Sequence, residues 1–76
     1  MSKATLVMSD ILNRLIKKNN LSESKLAKII KVPKSTINRL TSGKTANPRV
    51  STLIEIADYF NISLDQLMGK QPLNID

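Results

Sequence analysis

The tripeptide Gly43-Lys44-Thr45 matches the end of a phosphate-binding P-loop, which would hold a nucleotide. A complete P-loop needs an earlier glycine at a fixed spacing, and Asn38 holds that position inside a helical pattern. No strand pattern precedes the tripeptide either. The sequence therefore does not predict a nucleotide-binding loop.

The hydroxyl groups of Ser35, Ser42 and Thr45 are possible nucleophiles for catalysis. The chain has no histidine to activate them and no cysteine, which argues against nucleophilic catalysis and against zinc sites built on those ligands. The few carboxylates fall where helix caps or solvated faces are expected. We therefore predict that the protein is not an enzyme and uses no cofactor, no metal and no small-molecule substrate.

Four polar side chains with better-defined chemistry lie in the same region: Lys34, Ser35, Asn38 and Arg39. Their ammonium, hydroxyl, amide and guanidinium groups can hydrogen-bond to the base edges and phosphates of a nucleic acid. They can act together only if one helix holds them on a single outward face. The surrounding sequence must therefore supply a buried face behind that helix.

The charge of the chain differs between its two parts. The net charge is +6, and residues 11–49 contain Glu23 as their only acid. Their basic residues are Arg14, Lys17, Lys18, Lys25, Lys28, Lys31, Lys34, Arg39, Lys44 and Arg49. From Val50 onward the acids outnumber Lys70, the one basic residue there. One basic side predicts a polyanionic partner, and the alternative is that the lysines serve solubility alone.

The length of 76 residues allows one domain, whose stability must come from closely packed helices because the chain has no disulfides. No apolar run approaches the ~18 residues of a membrane span, and no signal-peptide pattern opens the chain. We expect a cytoplasmic protein without a membrane partner.

Apolar periodicity predicts the first three helices. Residues 1–6 are expected to form a flexible tail, and the first helix follows and ends at Asn19-Asn20. Ser22 caps the second helix, Pro33 stops it, and a third helix covers roughly 33–41 before Gly43. The apolar positions are Met8, Ile11, Leu12, Leu15, Ile16, Leu26, Ala27, Ile29, Ile30, Ile37 and Leu40.

Two further short helices are predicted, capped by Ser51 and Ser63 and ended by Asn61 and Gly69. The inward positions of the fourth helix are Leu53, Ile56, Ala57 and Phe60, and the fifth helix carries Leu64, Leu67 and Met68. Residues 70–76 have no periodicity and are expected to be a C-terminal tail or the start of a linker. The predicted fold is all-α, a compact bundle of five short helices over residues 7–69.

The second and third helices have the spacing of two helices that cross over a short turn. Ala27 would allow their close approach, Val32 would fill the turn, and Ile37 and Leu40 would anchor the third helix. The core of this helix-turn-helix is Leu26, Ala27, Ile30, Val32, Ile37 and Leu40. The alternative is a pair of amphipathic helices with an ordinary solvated face.

The stretches LSESKLAKIIKVPKSTINRLTSGKTANPR and VSTLIEIADYFNISLDQLMG resemble the Cro/repressor-type (XRE) helix-turn-helix family of phage and bacterial regulators. The resemblance covers about residues 7–69, with STINRL, GK, NP and the final SLDQL as its most specific parts. It implies a lambda-repressor-like DNA-binding domain, similar to lambdoid phage repressors, whose partner is double-stranded DNA.

Three residues depart from the family pattern. Glu23 stands where the family often has a glutamine that touches phosphate, so it would repel phosphate unless it turns away. Lys31 replaces the usual glycine of the turn, at a cost of about 1 kcal/mol for its left-handed conformation. Pro33 replaces the usual serine or threonine N-cap, so that the cap hydrogen bond is lost.

Family resemblance and side-chain chemistry together predict two sets of DNA contacts. Base readout is assigned to Lys34, Ser35, Asn38 and Arg39, and backbone contact to Thr36, Lys44, Thr45 and Arg49. Arg39 is the first candidate for a forked bond to guanine, with a phosphate clamp as its alternative. Lys17, Lys18, Lys25 and Lys28 are expected to attract the polyanion diffusely.

A single short helix reads too few base pairs for genomic selectivity, and family members dimerise on pseudo-palindromic operators. The expected homodimer surface is Leu64, Leu67 and Met68, with Ile62 at its edge; alternatively these side chains only close the monomer core. A further interpretation is that the chain is the N-terminal part of a longer repressor.

The predicted function is a sequence-specific transcriptional regulator of bacterial or phage type, acting as a repressor at its operator and associated with the nucleoid when bound. Two alternatives remain open at this point. One is an antitoxin-like protein-interaction module on the same fold, and the other is a nucleic-acid binder without sequence preference.

Overall fold

The computed structural model describes residues 3–44 and 48–72, with side chains from residue 7 onward. The described residues form five helices and no strand: α1 (Lys3–Lys18), α2 (Glu23–Ile30), α3 (Lys34–Ser42), α4 (Val50–Tyr59) and α5 (Leu64–Leu67). This confirms the predicted all-α bundle. No helix in the described part of the chain is long and apolar enough to cross a membrane.

One hydrophobic core joins all five helices, because each contributes side chains from a single stripe. Its buried members are Met8, Ile11, Leu12, Leu15, Ile16, Leu26, Ala27, Ile37, Leu40, Leu53, Ile56, Ala57 and Leu67. All of them except Leu67 were predicted from periodicity to be buried. Phe60, also predicted to face inward, is half-buried against this core, and Ile29 is 40% exposed.

Helix α1 begins at Lys3, which corrects the prediction of a tail for residues 3–6. Extending an existing helix requires no new nucleus, and Ala4 and Leu6 are strong helix formers without an intervening glycine or proline. The apolar stripe begins only at Met8. Periodicity therefore carried no signal for the preceding turn.

All five helices of the described chain are followed by a residue with left-handed backbone conformation. These residues are Asn20, Lys31, Gly43, Asn61 and Gly69. The amide of the next residue then donates to a carbonyl in the last turn, from Leu21 to Ile16, Val32 to Ala27, Lys44 to Arg39, Ile62 to Ala57 and Lys70 to Asp65. This Schellman arrangement satisfies carbonyls that the helix leaves unpaired. It confirms the stops predicted at the asparagines and glycines.

The helix beginnings follow the prediction at two positions and depart from it at a third. Ser22 caps α2, and Ser63 caps α5 through a capping box with Gln66. The prediction that Ser51 caps α4 is wrong, because the N-cap is Arg49 and Ser51 lies inside the first turn. A serine cap contributes only about 1 kcal/mol, so a start two residues earlier loses little stability.

Candidate nucleic-acid interface

The turn between α2 and α3 is set by backbone geometry at Lys31 and Pro33. Lys31 is left-handed at φ 60° and ψ 48°, and Pro33 is extended and makes no side-chain cap bond. The Val32 amide donates to the Ala27 carbonyl at 3.0 Å, so the chain reverses tightly. Leu26, Ala27, Ile37 and Leu40 are buried below the turn, as predicted, while Ile30 and Val32 are half-buried.

The outer face of α3 is a row of exposed polar side chains. It consists of Lys34, Ser35, Asn38, Arg39 and Ser42. The other side of the same helix carries Ile37, Leu40 and Thr41, which are buried. All four residues predicted for base readout therefore share one exposed surface. The sequence-based prediction did not include Ser42 in this exposed face of α3. Its position one turn after Arg39 and two turns after Ser35 nevertheless indicates the same face.

The cations of this surface are available to a ligand. Lys34, Arg39 and Lys44 are exposed, and in the described part of the chain none of them forms an ion pair with a carboxylate. Lys17, Lys18, Lys25 and Lys28 are exposed as well. The guanidinium of Arg39 thus keeps its planar donor fork for an external acceptor.

A groove of about 450 Å³ lies between the turn, α3 and the start of α4. Its polar lining comes from Thr36, Arg39, Arg49 and Thr52. Arg49 is the N-cap of α4, and its side chain makes no cap bond to the first amides of the helix. Two guanidinium groups and the positive end of a helix dipole favour an anion there.

Lys44 directly follows the left-handed Gly43, in the segment of chain between the groove residues Leu40 and Pro48. Its amide donates to the Arg39 carbonyl at 3.1 Å, which holds the backbone of Lys44 at the end of α3. Thr45, the remaining residue predicted for backbone contact, lies outside the described residues. Its assignment stays a prediction.

Glu23 is half-buried and turned toward α3, where both of its carboxylate oxygens accept hydrogen bonds. Its Oε1 accepts a hydrogen bond from Asn38 Nδ2 at 3.2 Å, and its Oε2 accepts one from Thr41 Oγ1 at 3.0 Å. From the sequence, Glu23 stood out only as the single acid of residues 11–49 and as a departure from the family pattern. The contact with α3 joins residues distant in sequence, so no local motif indicated it.

Asn13 is a second polar residue whose role sequence reasoning missed. Its Nδ2 donates to the Ser9 carbonyl at 2.9 Å and to the Thr41 carbonyl at 2.8 Å. The second bond ties α1 to the last turn of α3. An asparagine within a helix interior is the only signal that could have suggested such a bond.

The predicted dimer surface is partly corrected by burial. Leu67 is 0% exposed and belongs to the core, so it is not free to contact another subunit. Leu64, Met68 and Ile62 are half-buried. On α4, Val50 is 59% and Ile54 44% exposed, and neither was predicted. Leu67 was assigned outward because α5 is so short that periodicity does not separate its faces.

The described residues contain no cluster of three or more acidic, histidine or cysteine side chains that could hold a metal ion. Their buried side-chain polar atoms all have hydrogen-bond partners.

Comparison with known proteins gives one family and three relatives. The helix-turn-helix family profile matches residues 12–67. An uncharacterised HTH-type transcriptional regulator of Coxiella burnetii is 33% identical over 91% of this chain, which spans 32% of that relative. HTH-type regulators of Rickettsia conorii and Rickettsia prowazekii are each 27% identical over 97% of the chain, which spans 70% and 83% of them. No solved structure gives a significant match.

Proposed function

We propose, given that this chain belongs to the XRE-type helix-turn-helix family, that it binds double-stranded DNA sequence-specifically and represses transcription by occupying an operator. The observation that carries the proposal is the outer face of α3. Its exposed side chains can form hydrogen bonds with base edges, while the buried side of α3 holds the helix rigidly on the core. A helix presented in this way fits the major groove.

Base readout is assigned to Lys34, Ser35, Asn38 and Arg39. Arg39 can donate a forked pair of bonds to guanine O6 and N7, and Asn38 can pair with adenine N6 and N7. Lys34 and Ser35 begin the helix, where HTH proteins place residues against the base edges. Ser42 lies on the same exposed face and extends the row of polar side chains toward the sugar-phosphate backbone of the DNA.

Backbone contact is assigned to Thr36, Lys44, Thr45 and Arg49. The groove beside α3 supports this assignment, because it combines guanidinium groups with the uncapped start of α4. Such a site takes one phosphate of a strand that crosses the end of the groove. The exposed lysines of α1 and α2 add a long-range attraction that depends strongly on salt.

Selectivity requires two copies. Dimers of HTH proteins place their recognition helices roughly 34 Å apart on two half-sites, which multiplies the few base pairs read by each copy. We assign the homodimer surface to the half-buried Leu64 and Met68 of the α5 region. The regulator acts in the cytoplasm, on DNA of the nucleoid.

A protein-interaction function is the second candidate. It is favoured by Ile29 and Tyr59, two partly exposed apolar residues that line a groove of about 400 Å³ between α2 and α4. Glu55, Asp58 and Lys31 border the same groove, so its lining carries two acids and one base. A basic, partly apolar segment of another protein would complement it.

Selection of bound duplexes from a random pool, followed by fluorescence anisotropy at several salt concentrations, separates the candidates. The proposed regulator enriches one sequence with twofold symmetry. A steep salt slope without an enriched sequence would mean non-specific binding. Absence of DNA binding at low salt would favour the protein-interaction function instead.

A further inference from the structure

We propose that Glu23 is a positioning residue that orients the amide of Asn38 for reading adenine. The inference rests on the proposed DNA-binding function and deepens it, because it names the base read by one residue. It begins from the contact of Glu23 with α3, where the family pattern leads one to expect a glutamine that touches phosphate.

Both carboxylate oxygens of Glu23 are engaged by α3. Oε1 accepts from Asn38 Nδ2 at 3.2 Å, and Oε2 accepts from Thr41 Oγ1 at 3.0 Å. Glu23 is half-buried and Thr41 is buried, so the Thr41 bond is partly shielded from water. The one hydroxyl hydrogen of Thr41 is shared between Glu23 and the Asn38 carbonyl oxygen, which lies 3.1 Å away. Two anchors one turn apart restrict rotation of the carboxylate, which therefore stays beside Asn38.

The negative charge of Glu23 decides which end of the Asn38 amide faces it. An amide nitrogen donates to a carboxylate, whereas an amide oxygen in the same place would be repelled. The Nδ2 group is consequently directed toward α2. Free rotation would otherwise leave the two amide orientations close in energy.

An amide oriented in this way keeps the groups that adenine requires. Nδ2 has two hydrogens, of which Glu23 accepts one. The other hydrogen and Oδ1 remain on the exposed side chain. Adenine presents N7 as an acceptor and its N6 amino group as a donor in the major groove, so the pair matches Asn38. Because the amide is held before binding, less conformational entropy is lost when the pair forms.

The charge-neutral isostere Glu23→Gln tests the inference, because an amide at position 23 has only one oxygen to accept from two donors. Anisotropy is measured on the preferred duplex and on its three base-pair variants at each position. We expect Asn38→Ala to reveal one position at which adenine preference is lost. At that same position Glu23→Gln should lower the preference at least about fivefold, the lower end of the discrimination expected from a bidentate pair. Affinity for duplexes with another base at that position should not fall, since a negative charge near phosphates is removed.

A double variant and a matched control separate positioning from general electrostatics. In the Asn38→Ala background, Glu23→Gln should have no further effect on base preference. Glu55→Gln on α4 makes the same charge change away from α3 and should leave all preferences unchanged. Thr41→Val removes one anchor and retains the carboxylate, so it should reduce adenine preference by less than Glu23→Gln does. If Glu23→Gln does not fold, Thr41→Val replaces it as the test.

The possible failures are distinguishable. If the unaltered protein prefers no sequence, the proposed function fails. If it has a preferred site but Glu23→Gln, or Thr41→Val in its place, leaves the Asn38-dependent position unchanged, this inference alone is wrong. The same holds if the Asn38-dependent position prefers a base other than adenine.

Discussion

Asn13 in α1 donates a hydrogen bond to the backbone carbonyl of Thr41 in the last turn of α3, with 2.8 Å between nitrogen and oxygen. The bond connects the first helix to the end of the proposed recognition helix. It satisfies a carbonyl near a helix C-terminus, where intrahelical donors run out. The rigidity of α3 therefore depends on α1 as well as on α2.

Replacing Asn13 with alanine should lower the free energy of unfolding by about 1 kcal/mol, because the Thr41 carbonyl loses a donor. Urea denaturation measures this as a lower midpoint with an unchanged slope. Arg14→Ala is the control. Arg14 pairs with Asp10 on the exposed surface, and loss of such a pair costs about 0.5 kcal/mol or less. Equal losses for both variants would contradict the role of Asn13.

Lys31→Gly should stabilise the fold by roughly 0.5–1 kcal/mol. Lys31 holds a left-handed backbone at φ 60°, which glycine adopts without steric cost. Thermal denaturation would show a raised midpoint. Lys25→Gly, inside α2, makes the same change in a right-handed helix and should destabilise by about 1 kcal/mol.

Arg39→Ala should cost roughly 1–3 kcal/mol of binding to the preferred duplex and relax the choice of base at one position. The reason is the loss of the forked donor that matches guanine. Anisotropy with single base-pair variants measures both effects. If the ranking of bases stays unchanged at every position, Arg39 is a phosphate clamp and not a base reader.

Lys44→Ala should weaken binding to all sequences about equally and reduce the salt slope by about one. Lys44 is exposed at the end of α3 and is assigned to the DNA backbone. Titrations at several salt concentrations, on specific and random duplexes, give the slope. Lys70→Ala removes the same charge from the acidic part of the chain and should leave the slope unaltered.

Met68→Lys should weaken the proposed homodimer, since it places a charge on the half-buried α5 surface. Sedimentation velocity with DNA present would show one protein per duplex where the unaltered chain shows two. Circular dichroism checks that the monomer stays folded. A duplex that still carries two copies of the variant would move the dimer surface elsewhere, for example to the exposed Val50 and Ile54 of α4.

Sequence predicted the fold well where the cause is local. Asn20, Gly43 and Asn61 end their helices because their own backbone preferences favour the left-handed conformation. The outer face of α3 follows from the helical period, since Ile37 and Leu40 must be buried together and Asn38 and Arg39 then face outward. Weaker signals failed at the start of α1 and at Ser51, where each helix begins earlier than the local preference indicates.

The sequence by itself therefore determined the helices, most of their ends and the polar composition of the face that we assign to DNA. Only the tertiary structure decided the partners of Glu23 and Asn13 and the burial of Leu67. The hydrogen bonds join residues 15 and 28 positions apart. Such contacts depend on how helices cross in space, and helical periodicity carries no information about the crossing.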